Sequence, residues 1–206
     1  MRSPPSVPDY DSETTMTTTD HSQTPIADLH LGGLAPRDVI SPNFRFYELT
    51  RSDLAERRGI DNGFETEAQL QAAVHLARQV LQPVRDQFGS YSPNSVFRSQ
   101  ALERALKQRP ASWISTSQHT TGCACDIEVP GVATLELARW VVKHLPDFDQ
   151  VICECYDPSK GPNSGWVHVS LKPPGVGANR RVELSYIRDP DSGRMIYVEG
   201  LRAAVA

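Results

Sequence analysis

A chain of 206 residues suits one domain with some length to spare, and 39% hydrophobic with 22% charged residues describes an ordinary globular protein. A formal net charge of -4 lacks the basic excess of a phosphate-backbone binder, so no nucleic-acid partner is expected. Four cysteines are too few for a disulfide scaffold of this length, and no run approaches the ~18 apolar residues of a membrane span.

Residues 1–38 are rich in Ser, Thr, Pro and Asp and hold almost no clustered apolar residues. This predicts a disordered tail, followed by one folded domain over 39–206. The first twenty residues contain no apolar core of the kind a secretory signal needs, which predicts cytoplasmic synthesis. Order is expected from Ile40, with a short helix near 47–58 ended by Gly59 and the Asp61-Asn62-Gly63 turn. Residues 65–88 read as the main helix: Leu70, Val74, Ala77, Leu81, Val84 and Phe88 recur on one face, and Pro83 should kink or split it. A short strand over 95–97 leads to Ser99, a candidate cap for a helix over 100–107.

The remainder reads as a strand over 123–129, a helix over 134–145, and strands near 149–155, 166–171, 181–187 and 195–198. Helices first and strands mostly later predict an α+β fold. Alternation assigns faces. Cys123, Cys125, Val151, Cys153, Cys155, Val167 and Val169 fall on the apolar face, with the thiols as core packing. Asp126, Glu154, Trp166 and His168 fall on the other.

Two imidazoles and a carboxylate can hold a zinc ion and leave a fourth position open, the mark of a catalytic site. His119, Asp126 and His168 offer that set. His21, His30, His75 and His144 read as ordinary tail or helix residues. Two C-x-C pairs leave a four-thiolate structural zinc site open as an alternative.

The run Ser117-x-His119-x-x-Gly122-x-Ala124-x-Asp126, followed by Gly165-Trp166-Val167-His168-Val169-Ser170, resembles the zinc D-alanyl-D-alanine carboxypeptidase family. Its relatives include phage L-Ala-D-Glu endolysins, and its fold is shared with the hedgehog signalling domain. Phe44 to Asn62, Val96-Phe97-Arg98-Ser99, residues 149–155 and Tyr197 to Leu201 fit the same resemblance, which spans about residues 40–201.

The resemblance implies a small, mainly antiparallel sheet with helices on one face. It implies one zinc ion on His119, Asp126 and His168, with Arg98 holding the substrate carboxylate or the oxyanion. Ser117 would make a supporting polar contact and Trp166 would wall the pocket. Many members carry an acidic residue three positions before the last histidine, where this chain has Gly165. The fold's other arrangement places the base at the end of the preceding strand, which is Glu154 by parity. The implied activity is hydrolysis of cell-wall peptides by a monomer, either as D-Ala-D-Ala carboxypeptidase or as L-Ala-D-Glu endopeptidase. A wall hydrolase without an export signal fits a phage lysis enzyme or a virion component. Gly165 keeps a non-catalytic, zinc-containing wall-binding or structural module open as the alternative.

Overall fold

The computed structural model describes residues 17–203. The segment 17–38 departs from the expected tail because it lies against the domain. Thr19 N donates to Asp38 Oδ1 at 2.8 Å, and Arg78 of the main helix donates to the carbonyls of His21, Thr24 and Ile40 at 2.6, 2.7 and 2.9 Å. Leu29 is buried. A buried leucine and a guanidinium that gathers two of the segment's carbonyls help to dock it, and average composition conceals both. Residues 1–16 of the expected tail lie outside the described residues.

A two-stranded ribbon, β1 (Val39–Ser41) and β2 (Phe44–Arg45), precedes helix α1 (Asp53–Arg58). Ser52 caps α1, and Gly59 closes it in the left-handed region at φ 62°. The main helix begins at Thr66, which forms a capping box with Gln69, and runs as α2 (Glu67–Leu76) and α3 (Gln82–Phe88). Between them Ala77–Leu81 form a wider π turn in which Gln82 N bonds Ala77 O. Pro83 therefore does not split the helix. It has no N–H to give the Gln79 carbonyl, and the widened turn just ahead of it absorbs the mismatch. Helix α4 (Gln100–Lys107) starts where Ser99 Oγ accepts from Leu102 N at 3.2 Å, as expected. Helix α5 spans Thr134–His144.

The five-stranded sheet comprises β3 (Ala124–Ile127), β4 (Gln150–Glu154), β5 (Trp166–Ser170), β6 (Val182–Arg188) and β7 (Met195–Glu199), in the order β3-β5-β4-β6-β7. Every pair is antiparallel except β4 with β6. The mixed α+β architecture with a mostly antiparallel sheet matches the expectation. Cys125, Ile127, Val151, Cys153, Val167 and Val169 are fully buried and share a core with Leu70, Val74, Leu137 and Val141 of α2 and α5. A fully buried aliphatic side chain of this kind is worth ~1.5–3 kcal/mol. This rigid layer holds the opposite face of the sheet in place.

The thiols divide two and two. Cys125 and Cys153 are core residues as expected, whereas Cys123 and Cys155 are only partly buried at strand ends. Burial pushes the Cys153 thiol up to about 12 and raises Cys125 well above its usual value, so both stay protonated. No disulfide joins any of the four. Among the described residues, the one His/Cys/Asp/Glu group close enough to hold a metal contains no cysteine.

Candidate metal centre

Residues from three elements meet on the face of the sheet away from the core. Asp126 on β3 lies directly opposite His168 on β5, and His168 lies opposite Ile152 on β4. His119 comes from a single 3-10 turn, Gln118–Thr121. That turn is docked on α2 by Gln69 Nε2 donating to Thr120 O at 3.1 Å. Gly122 ends it at φ 74°, where an added Cβ would stand 2.3 Å from Gln69 O. The glycine between His119 and Asp126 thus serves both a left-handed backbone and a close approach to the helix.

His119 Nε2, His168 Nδ1 and Asp126 Oδ1 are separated by 3.2, 3.0 and 3.3 Å. A tetrahedral ion with bonds of ~2.0–2.1 Å needs ligand edges of about 3.3–3.4 Å, so the three donors fit zinc closely. His119 Nδ1 donates to Val96 O at 2.7 Å, which fixes the tautomer and leaves the Nε2 lone pair facing the other two donors. Burial lowers the pKa of His119 and so favours the neutral ring a metal requires. Burial alone would raise the pKa of Asp126, but His119, His168 and Arg98 together hold it well below the usual carboxylate range. The group could bind a metal ion.

Arg98 stands beside this trio in a fixed pose. Its Nε donates to Ser95 Oγ at 2.8 Å, Nη1 to Glu103 Oε1 at 3.2 Å, and Nη2 to Asp126 Oδ2. Three of its five N–H bonds are therefore engaged. The resemblance gave Arg98 a substrate-facing role; the structure adds a grip on the second oxygen of Asp126. Glu103, fully buried on α4, also accepts from Ser115 Oγ at 2.9 Å and pairs with Lys107 Nζ at 2.6 Å. Burial opposes its ionisation, but Lys107, Ser115 and Arg98 keep its pKa below normal. Sequence reasoning missed Glu103 because an acid four residues before a lysine reads as a solvated helix pair.

A cleft of about 650 Å³ opens over the trio and is also lined by Arg98, Glu154 and Trp166. Glu154 pairs with Trp166 one step along the same face from the Ile152–His168 pair. Burial, then the charge of Asp126, raises its pKa. Trp166 lines the cleft, and its buried Nε1 has no partner. Ser117 lines the cleft, but its carbonyl rather than its hydroxyl does the local work, accepting from Thr120 N and Oγ1 at 3.0 and 2.7 Å.

Gly165, at φ 73°, lies where an added Cβ would meet Glu154 O at 2.1 Å and Tyr156 N at 2.7 Å. No side chain fits there while β4 keeps its course. The backbone at the end of β4 therefore excludes an acid at the position three before the last histidine.

The family model of peptidase M15 matches residues 42–170, well over half of the chain. The chain belongs to the peptidase M15 family. This is the family whose motifs the sequence resembles, and membership supports a peptidase with a peptide substrate. No curated protein and no solved structure gives a significant match. The M15 match contains Arg98, His119, Asp126, Glu154 and His168, and ends at Ser170 before the β6–β7 hairpin. Among the described residues of this M15 peptidase, no helix is long and apolar enough to cross a membrane.

Proposed function

We propose that this M15 peptidase is a zinc enzyme that hydrolyses peptide bonds in the stem peptides of bacterial peptidoglycan, as a D-Ala-D-Ala carboxypeptidase or an L-Ala-D-Glu endopeptidase. The observation that carries the reading is the convergence of His119 Nε2, Asp126 Oδ1 and His168 Nδ1 at 3.0–3.3 Å in an open cleft that also holds Glu154. His119, Asp126 and His168 would hold one ion. Bound there, zinc would supply the Lewis acidity that polarises a peptide carbonyl and activates water.

The chain's own groups do the rest. Glu154 is the general base: it takes the proton of the attacking water and returns it to the leaving amine. Its burial, which raises its pKa, suits a carboxyl that must both accept and release a proton near neutrality. An idle carboxylate on a half-buried strand would be costly, which further supports a role. Arg98 has two N–H bonds free of protein partners and can direct them at the developing oxyanion or a substrate carboxylate. Val96 O orients His119, and Trp166 shields the reacting centre from solvent.

Metal analysis of the purified protein, with release of free amines from purified peptidoglycan, tests the reading. Near one zinc per chain with amine release is expected. Glu154→Gln should keep the zinc and lose the amine release; an active, zinc-loaded Glu154→Gln would remove Glu154 from the role. Zinc without hydrolysis in the unaltered protein would favour the non-catalytic alternative that Gly165 first suggested.

A further inference from the structure

The cleft has a second cluster of charge, away from Glu154. Asp149, whose side chain is fully buried, accepts from Arg180 Nε at 3.0 and 3.1 Å and from Arg180 Nη2, and its Oδ1 lies 3.4 Å from Lys172 Nζ. Gln118 Nε2, from the first residue of the metal-centre turn, donates to the same carboxylate at 2.9 Å. Asn179 Oδ1 accepts from Lys172 N at 2.9 Å, and Lys172 Nζ donates to Ala178 O at 2.8 Å, so the loop that connects the two cations is tied back onto Lys172. Lys172 and Arg180 both line the cleft, with side chains 29% and 51% exposed. Two cations against one buried carboxylate leave a positive charge facing the cleft. Asp149 uses one edge of the Arg180 guanidinium, and the outer edge remains available.

The strand register gives this cluster a position. The Asp126–His168–Ile152 row crosses the sheet at the metal centre. Glu154, Trp166 and Tyr186 form the next row on one side; Gln150, Ser170 and Val182 form the next on the other, and Asp149, Lys172 and Arg180 lie just beyond it. The cleft thus runs along the strands, from a carboxylate and aromatic end, across the metal centre, to a cationic end. At ~3.3 Å per strand residue, the cationic end begins about 7–10 Å from the metal row. An extended peptide advances at most ~3.3–3.6 Å per residue. A chain-terminal carboxylate on the residue next to the cut bond falls short of this end, whereas an acidic group two or three residue lengths away reaches it.

We propose that Lys172 and Arg180, clamped by Asp149, form a carboxylate-binding subsite for an acidic group carried by the peptide substrate two to three residue lengths from the bond that is cut. The distance rests on the peptidase reading above, because it is counted from the metal row. Both cations lie outside the residues matched by the family, so the subsite belongs to this chain's own extension of the cleft. It favours an endopeptidase whose substrate carries an acidic group two to three residue lengths from the cut bond over an enzyme that removes one terminal residue.

The test uses pairs of synthetic peptides that differ only in a free carboxylate or a carboxamide at that distance. Calorimetry on the metal-free 206-residue chain reads binding without turnover. Charge-assisted hydrogen bonds to Arg and Lys predict at least about tenfold tighter binding of the acid form, weakening with added salt. Arg180→Gln and Lys172→Gln should each shrink that preference, and Lys172→Glu should reverse it. If loss of Arg180 beside buried Asp149 prevents folding, the Lys172 pair carries the test alone. Equal binding of acid and amide forms, no binding of either, or a preference untouched by Lys172→Glu overturns the subsite. Cleavage of the same peptides by the zinc-loaded protein separates the two claims. Hydrolysis without acid preference removes the subsite and leaves the peptidase; acid-selective binding without hydrolysis does the reverse.

Discussion

Asp126 Oδ1 lies 3.0 Å from His168 Nδ1 across two directly paired strands, while Asp126 Oδ2 is held by Arg98. Each oxygen of one carboxylate therefore has a separate task, one facing the metal trio and the other tying that trio to the guanidinium. Asp126→Asn keeps the shape but gives up the charge on both sides. Metal analysis of Asp126→Asn and of His168→Ala should show zinc falling from near one to well below half an equivalent per chain, with a native far-UV dichroism spectrum. Retention of a full equivalent by either variant would contradict the ligand set.

The chain of contacts from Glu103 through Arg98 to Asp126 predicts a positioning role for Glu103. Glu103→Gln keeps the size and the bond from Ser115 but removes the charge that faces Arg98 and Lys107. Outer-shell losses of this kind typically cost about 10–100-fold in activity or metal affinity. The expected outcome is a fall in kcat of that order with KM nearly constant, recovered by Glu103→Asp only in part. Glu103→Ala, which leaves Arg98 with Asp126 as its remaining buried acid and Ser115 Oγ without its acceptor, should also lower stability by roughly 1–3 kcal/mol, measured by denaturant unfolding.

Gly165 offers a test of packing against motif. Gly165→Glu places an acid where many family members have one, yet its Cβ would collide with Glu154 O, and φ 73° is unfavourable for any L side chain. Both Gly165→Glu and Gly165→Ala should lower the melting temperature, by at least about 1–3 kcal/mol of stability, and neither should raise peptidase activity. Gly122→Ala should behave likewise and also displace His119, since its Cβ would stand 2.3 Å from Gln69 O.

Stability should fall in acid through Asp149. Burial works against its charge, but hydrogen bonds from Arg180 and Gln118 outweigh burial and hold its pKa well below the usual carboxylate value. A carboxyl with a depressed folded pKa binds fewer protons folded than unfolded. Its stabilisation is complete above the ordinary value of ~3.9 and drains away as pH falls below it. Denaturant unfolding between pH 2 and pH 7 should therefore show Asp149→Asn much less stable than the unaltered chain near pH 7, with the gap closing steadily below about pH 4.

Much of the fold was legible because its signals are local. Leu70, Val74 and Val84 mark a helix face by spacing alone, Ser99 marks a cap, and alternation on β3, β4 and β5 separates Cys125 and Cys153 from Asp126 and Glu154. Three readings were not local and went differently. Residues 17–38 dock because Arg78, more than fifty residues away in the chain from His21 and Thr24, collects their carbonyls. Pro83 passes without breaking its helix because a π turn forms ahead of it. Cys123 and Cys155 leave the core because their strands end before they reach it.

The sequence by itself determined the family motifs, the α+β order of elements and the face on which His168, Asp126 and Glu154 stand. Each of these depends on residue type and on separations of a few positions along one strand or turn. Only the tertiary structure decided that three donors meet at 3.0–3.3 Å, that Arg98 is gripped between Glu103 and Asp126, and that Lys172 and Arg180 close the far end of the same cleft. Arg98 with Asp126 and His119 with His168 are pairings across 28 and 49 residues of chain, where a change of an ångström decides whether a metal fits. Periodicity tells which way a side chain points; only packing of the whole layer tells what it reaches.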